Sequence, residues 1–196
     1  MKDGYHALPA GKIAAVVTFL KMHQRPPARP TFGAEGLSLQ RLTAENLALY
    51  REIYQVIGER WLWFSRMVLS DAELAAIIDS SDVEAYALIS YGKPAGLLEL
   101  DFRDPTAGEL AFFGLYEEMI GKGAGRWLME QAMERAWSRP LKRFFVHTCT
   151  YDHPGAIAFY RSSGFKPYKQ EVEIIDDPRI SGHIPRDMLP NIPLTA

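Results

Sequence analysis

The chain has 196 residues, 47% hydrophobic and 23% charged, with a formal net charge of -2. That length suits one domain with a substantial core, and the near-neutral charge excludes a general attraction to nucleic acid. The single cysteine, Cys149, excludes an intrachain disulfide and a cysteine-based metal cluster, and it fits a reducing cytoplasm.

The apolar run Ile13 to Leu20 is far shorter than the ~20 residues a bilayer span needs. Asp3 and His6 before it, and His23-Gln24-Arg25 after it, do not suit a signal peptide. Its β-branched residues predict a strand over Gly11 to Met22. Arg25-Pro-Pro-Ala-Arg-Pro30 cannot continue a ladder. Residues 1–35 are therefore expected to form an N-terminal extension, a strand with a proline-rich linker, ahead of a main domain over 36–196.

Leu37 to Leu42 reads as a strand. Thr43 can cap a helix from Ala44 to about Ile57, with Leu47, Tyr50, Tyr54 and Ile57 at helical spacing. An aromatic cluster follows at Trp61-Leu-Trp-Phe-Ser-Arg66, and Ser70-Asp-Ala-Glu73 is a capping-box pattern opening a second helix. Ala85 to Tyr91 and Ala95 to Phe102 form a predicted hairpin, and Glu109 to Tyr116 a third strand. A glycine loop leads into a helix from about Gly123 to Trp137. Arg143 to Thr150 is a strand, Pro154 to about Ser163 a short helix, and Phe165 to Ile175 a last strand. The tail from Asp176 reads as irregular. Hairpins mixed with crossovers predict an α/β fold with a mixed sheet and helices on both faces.

The loop Ile120-Gly-Lys-Gly-Ala-Gly-Arg126 sits between a strand and a helix. It is not a P-loop, because Arg126 and Trp127 stand where Lys and Ser/Thr are needed. Nor is it a dinucleotide fingerprint, because Arg126 or Leu128 stands at the last glycine position. The setting still suits an anion, since glycines let backbone N–H groups approach at a helix start. A tight turn that holds nothing explains the loop alone equally well.

A second motif, His153-Pro-Gly-Ala-Ile-Ala-Phe-Tyr-Arg-Ser-Ser-Gly-Phe165, closes the next strand-helix-strand unit. With the glycine loop before it, the sequence resembles the GNAT superfamily of acyl-CoA-dependent N-acetyltransferases over about Gly36 to Ile175. The family's Arg/Gln-x-x-Gly-x-Gly/Ala signature falls on Ile120 to Gly125. Its Asn, Ala, Tyr and Gly-Phe fall on His153, Ala156, Tyr160 and Gly164-Phe165. Ile120 and His153 depart from the pattern.

The resemblance implies a GNAT fold, with a mostly antiparallel sheet splayed between its fourth and fifth core strands, Glu109 to Tyr116 and Arg143 to Thr150. It implies acetyl-CoA as co-substrate, its pyrophosphate held by Gly121, Lys122, Gly123, Ala124, Gly125 and Arg126. Its pantetheine arm would lie along Phe113, Gly114 and Leu115, near His153, Ala156 and Tyr160. The implied activity is acetyl transfer to a primary amine by direct attack. Rival readings are another acyl-CoA, a protein lysine as acceptor, or a non-catalytic acyl-CoA sensor. The sequence gives no support for a metal or a membrane partner. A homodimer, or pairing of the N-terminal strand with another chain, is left open.

The chemistry needs a neutral amine, a stabilised oxyanion and a protonated leaving thiolate. Tyr160 is the candidate acid and Glu109 the candidate base. Glu99 and Asp101 alternate on the preceding strand and share a face, as rival bases or as attractors of a cationic amine. Trp61, Trp63, Phe64 and Arg66 fall where the family builds its acceptor wall, and aromatic rings suit an amine. His147 and Cys149 share a strand face and are expected to be buried in the core. His153 is a third, less favoured base.

Overall fold

The computed structural model describes residues 2–195. The strands are β1 (Lys12–Met22), β2 (Leu37–Leu42), β3 (Val83–Ser90), β4 (Lys93–Asp101), β5 (Ala107–Leu115), β6 (Arg143–Cys149) and β7 (Lys166–Asp176). The helices are α1 (Leu47–Gly58), α2 (Asp71–Ile78), α3 (Ala124–Trp137) and α4 (Ala156–Ser162). Ser70 and Glu73 close the expected capping box on α2: Ser70 N–H donates to Glu73 Oε2 (2.8 Å) and Glu73 N–H to Ser70 Oγ (3.3 Å).

All seven strands join one sheet in the order β2-β3-β4-β5-β6-β1-β7. Every pairing is antiparallel except β5 with β6. That parallel pair holds only from Ala107 opposite Arg143 to Glu109 opposite Phe145. Immediately afterwards Glu99 faces Phe112 while Leu100 faces Leu110, so Ala111 is an extra residue on β5. This bulge bends the strand away from β6, and the sheet splays where the resemblance implied. Beyond Glu109 and Phe145 the two facing edges have no ladder partners.

The helices divide between the faces. Tyr50, Ile53, Tyr54 and Ile57 of α1 and Leu74 and Ile78 of α2 pack on Ala85, Ala87 and Leu97. On the opposite face Leu128, Met129, Ala132 and Met133 of α3 and Tyr160 of α4 pack on Leu98, Leu100, Leu110, Phe144 and Val146. Among the described residues no helix is long and apolar enough to cross a membrane.

One segment differs from expectation. The strand assigned to an N-terminal extension is an interior strand: β1 is paired on one side with β6 and on the other with β7. Residues 12–22 are therefore part of the main sheet. Among the described residues the tail after Asp176 has no helix or strand, as expected, and it is well packed. Ile184 joins Ile13 and Leu62 in a third apolar cluster, with Phe64, Tyr151 and Ile175 against it. Buried Arg179 pairs with Asp177 (2.7 Å) and donates to the carbonyls of Met188 (3.0 Å) and Ile192 (2.9 Å). One guanidinium thus satisfies carbonyls that would otherwise be stranded in irregular chain.

Candidate functional site

The splay opens a cavity of about 1050 Å³. Phe113, Gly114, Leu115, Gly121, Lys122, Gly123, Gly125 and Arg126 line it from the β5 and glycine-loop side. His153, Ala156 and Tyr160 line it from the β6–α4 side, and Trp61, Trp63, Arg66, Asp101 and Glu109 also reach it. Ala124 and Glu99 do not line it; both are fully buried.

At one mouth the glycine loop starts α3. Gly123 is the N-cap with φ +91°, and Gly121 has φ +79°, conformations that a β-carbon disfavours. Lys122 and Arg126 are exposed here, and among the described residues neither forms an ion pair. Two unneutralised cations beside the free N–H groups of a helix start suit an anion. Next to it the free edge of β5 can bond an extended polar chain. A phosphorylated, amide-bearing arm such as that of coenzyme A fits this donor set.

Deeper in, Tyr160 packs edge-on to Phe113 (6.4 Å) and Phe159 (5.7 Å). Burial, with the nearby charge of Asp152, pushes its phenol well above the ordinary range, so it keeps its proton. Cys149 is likewise pushed up to about 11 by burial and by Asp152. It is a neutral thiol, and a Cys-His nucleophile has no thiolate to work with.

Glu109 ends the paired part of β5 and meets His147 of β6. The Nδ1–H of His147 donates to Glu109 Oε1 at 2.8 Å. That hydrogen bond raises His147 above its ordinary value, against the opposing effect of burial; the charges of Glu109, Asp152 and Glu173 add to it. His147 was expected in the core, but it is 46% exposed and lines the cavity. The reason is that α1 and α2 pack over β3 and β4, and neither reaches His147 on β6.

Glu99 shows the reverse. It lies on the same sheet face but under α1, where Tyr50 Oη–H (2.5 Å) and Arg66 Nη2–H (2.6 Å) both donate to it. It is not available as a base or an acceptor contact. Asp101 does reach the cavity. Burial pushes its carboxyl up, but the hydrogen bonds of Arg103 outweigh that and hold it below the usual range. It remains a carboxylate paired to Arg103 at 2.5 Å.

The segment expected to form the acceptor wall is aromatic and interlocked. Trp63 lies 5.3 Å from Phe112 and 5.7 Å from Tyr54, and Arg66 stacks over Phe112 at 5.0 Å. Trp61 packs on His153 at 5.4 Å, and the Nδ1 of that histidine accepts the Gly155 N–H at 3.0 Å. The Nδ1 of His153 is thus engaged in the turn that leads into α4. Trp63 Nε1–H also donates to Asp152 Oδ1 (3.2 Å), while Thr148 Oγ1–H (2.7 Å) and Cys149 N–H (2.8 Å) donate to Oδ2.

Sequence reasoning missed Asp152 as the residue joining the β6–α4 turn to the acceptor wall; the run Tyr151-Asp-His-Pro154 was the available signal. It also missed Glu173, Tyr151 and Phe32, which line the cavity from β7, the β6–α4 turn and the linker. Among the described residues no group of three His, Cys, Asp or Glu side chains is placed to hold a metal ion.

A family model described as acetyltransferase (GNAT) family matches residues 49–165, more than half of the chain. The chain belongs to the GNAT acetyltransferase family. Solved structures share the fold. An aminoglycoside acetyltransferase from an uncultured soil metagenomic sample, in complex with trehalose, is 15% identical (TM-score 0.57; 70% of this chain, 93% of that one). The ribosomal-protein-S18-alanine N-acetyltransferase from Escherichia coli is 17% identical (TM-score 0.56; 70% and 90%). A functionally unknown conserved protein from Staphylococcus epidermidis is 16% identical (TM-score 0.56); it is matched over 84% of this chain, which spans only 62% of its length. At these identities the likeness is one of fold. No curated protein matches the chain.

Proposed function

We propose that this GNAT protein transfers an acetyl group from acetyl-CoA to a primary amine by direct attack in a ternary complex. The observation that carries this reading is one continuous cavity joining the cationic glycine-loop mouth to the Glu109–His147 pair. When bound, acetyl-CoA supplies the acetyl group as an activated thioester. Lys122, Arg126 and the N–H groups of residues 121–126 hold its phosphates. The unpaired edge of β5 orients the arm and offers N–H groups to a developing oxyanion. Glu109 and His147 take the proton of the incoming ammonium. Tyr160, still protonated, gives its proton to the departing sulfur, and the second proton shed by the acetylated nitrogen restores its phenol.

The acceptor end favours a cationic amine with an apolar stem. Its wall is aromatic, and among the described residues Asp152 and Glu173 line the cavity with no cation paired to them. The charges of Arg66 and Arg103 are already matched by Glu99 and Asp101. The test is acetyl transfer to a panel of amines. Arylalkylamines and diamines are expected to give a higher kcat/KM than amino acids, whose carboxylate would meet Asp152 and Glu173. Preferred turnover of the amino acids would contradict this acceptor class.

A further inference from the structure

The proline-rich linker between β1 and β2 has to cross the molecule. β1 lies next to β7, whereas β2 is at the opposite edge of the sheet. The path runs along α3, where Arg25 pairs with Glu130 at 3.8 Å and Arg29 N–H donates to Glu130 Oε1 at 3.4 Å. It then lies directly on the glycine loop. A β-carbon on Gly123 would come within 2.3 Å of the Phe32 carbonyl oxygen, and one on Gly33 within 2.6 Å of the Lys122 carbonyl oxygen. The two backbones are seated at a distance that excludes side chains at both glycines.

This contact sets where Phe32 stands. Its ring is 74% exposed, yet it lines the cavity at the same mouth as Lys122 and Arg126. An exposed aromatic ring gains nothing from the core, and holding it there on a linker stiffened by Pro26, Pro27 and Pro30 limits the entropy a ligand must remove. An aromatic face beside two unpaired cations matches a nucleotide: base on ring, phosphates on cations.

Resting on the coenzyme A reading of the loop, we infer that Phe32 is a stacking platform for the adenine base of the bound co-substrate. The N-terminal segment then does two jobs: β1 completes the sheet, and the linker that follows it completes the nucleotide site.

The test is calorimetric titration of wild type, Phe32→Ala and Phe32→Trp with coenzyme A and with its nucleotide half, adenosine 3',5'-bisphosphate. Removing a base-stacking ring weakens binding by roughly five- to a hundredfold. Phe32→Ala is expected to lose about tenfold for both probes, and Phe32→Trp to bind as well as wild type. Equal coenzyme A affinity in Phe32→Ala and wild type would overturn the inference while leaving the loop reading intact. No coenzyme A binding by wild type would overturn both. The exposed position of Phe32 means that thermal stability stays unchanged in either variant, which separates a binding loss from misfolding.

Discussion

Glu109→Gln is expected to lower kcat by about 10² to 10⁴, the usual worth of a positioned base. Glutamine keeps the size of the side chain and a hydrogen bond to His147, but it cannot share a proton. KM for acetyl-CoA should change little, because the glycine loop is at the other end of the cavity. The pH profile gives an independent reading. Glu109 raises His147 above its ordinary value near 6.5, so the pair is already protonated below that raised value. Activity is therefore lost as pH falls through the raised value and is restored above it. In Glu109→Gln the main cause of the shift is gone, and the midpoint of the residual activity should move down. Unchanged kcat with an unchanged acid limb would remove Glu109 and His147 from the chemistry.

Arg66→Leu is expected to cost about 3–5 kcal/mol of stability, because it strands a buried carboxylate. Glu99 is fully buried, and Arg66 is its only cationic partner among the described residues. For a chain of this size that corresponds to a fall in Tm of roughly 10 °C. The Tyr50 hydroxyl remains but brings no charge. The double variant Glu99→Gln/Arg66→Met should recover most of the loss, since no buried charge is left unpaired. Urea melts of Arg66→Leu and of the double variant measure this directly. A cost below about 1 kcal/mol for Arg66→Leu would mean that the pair behaves as an exposed one. Arg66 also ties the loop carrying Trp61 and Trp63 to β4, so the acceptor wall should loosen in the single variant.

Much of this site was legible because its signals are local. Three glycines between a strand and an amphipathic helix, and Ala156, Tyr160 and Gly164 on the next helix and its stop, are patterns within a few residues. The Glu99 and His147 assignments came out reversed for a non-local reason. Strand alternation tells which residues share a face, but not which half of that face a helix will cover. Helix α1 lies over Glu99, and no helix lies over His147. The β-branched run of β1 announced a strand without naming its neighbours, so its place between β6 and β7 could not be read from residues 12–22. Phe32 carried no signal either, since its position is set by backbone contact with a loop some ninety residues later in the chain. Arg179 was hidden similarly: its carbonyl partners are strung along an irregular tail with no period to read.

The central claim is that the glycine-loop mouth holds the phosphates of acetyl-CoA. The most direct measurement is calorimetric titration of acetyl-CoA into wild type and into a Lys122→Glu/Arg126→Glu variant. Both side chains are exposed and unpaired, so the fold is left alone. Wild type should bind, and the variant should bind about a hundredfold more weakly, since two charge-assisted phosphate contacts are reversed. Failure of the wild type to bind, or equal binding by the two proteins, would contradict the account.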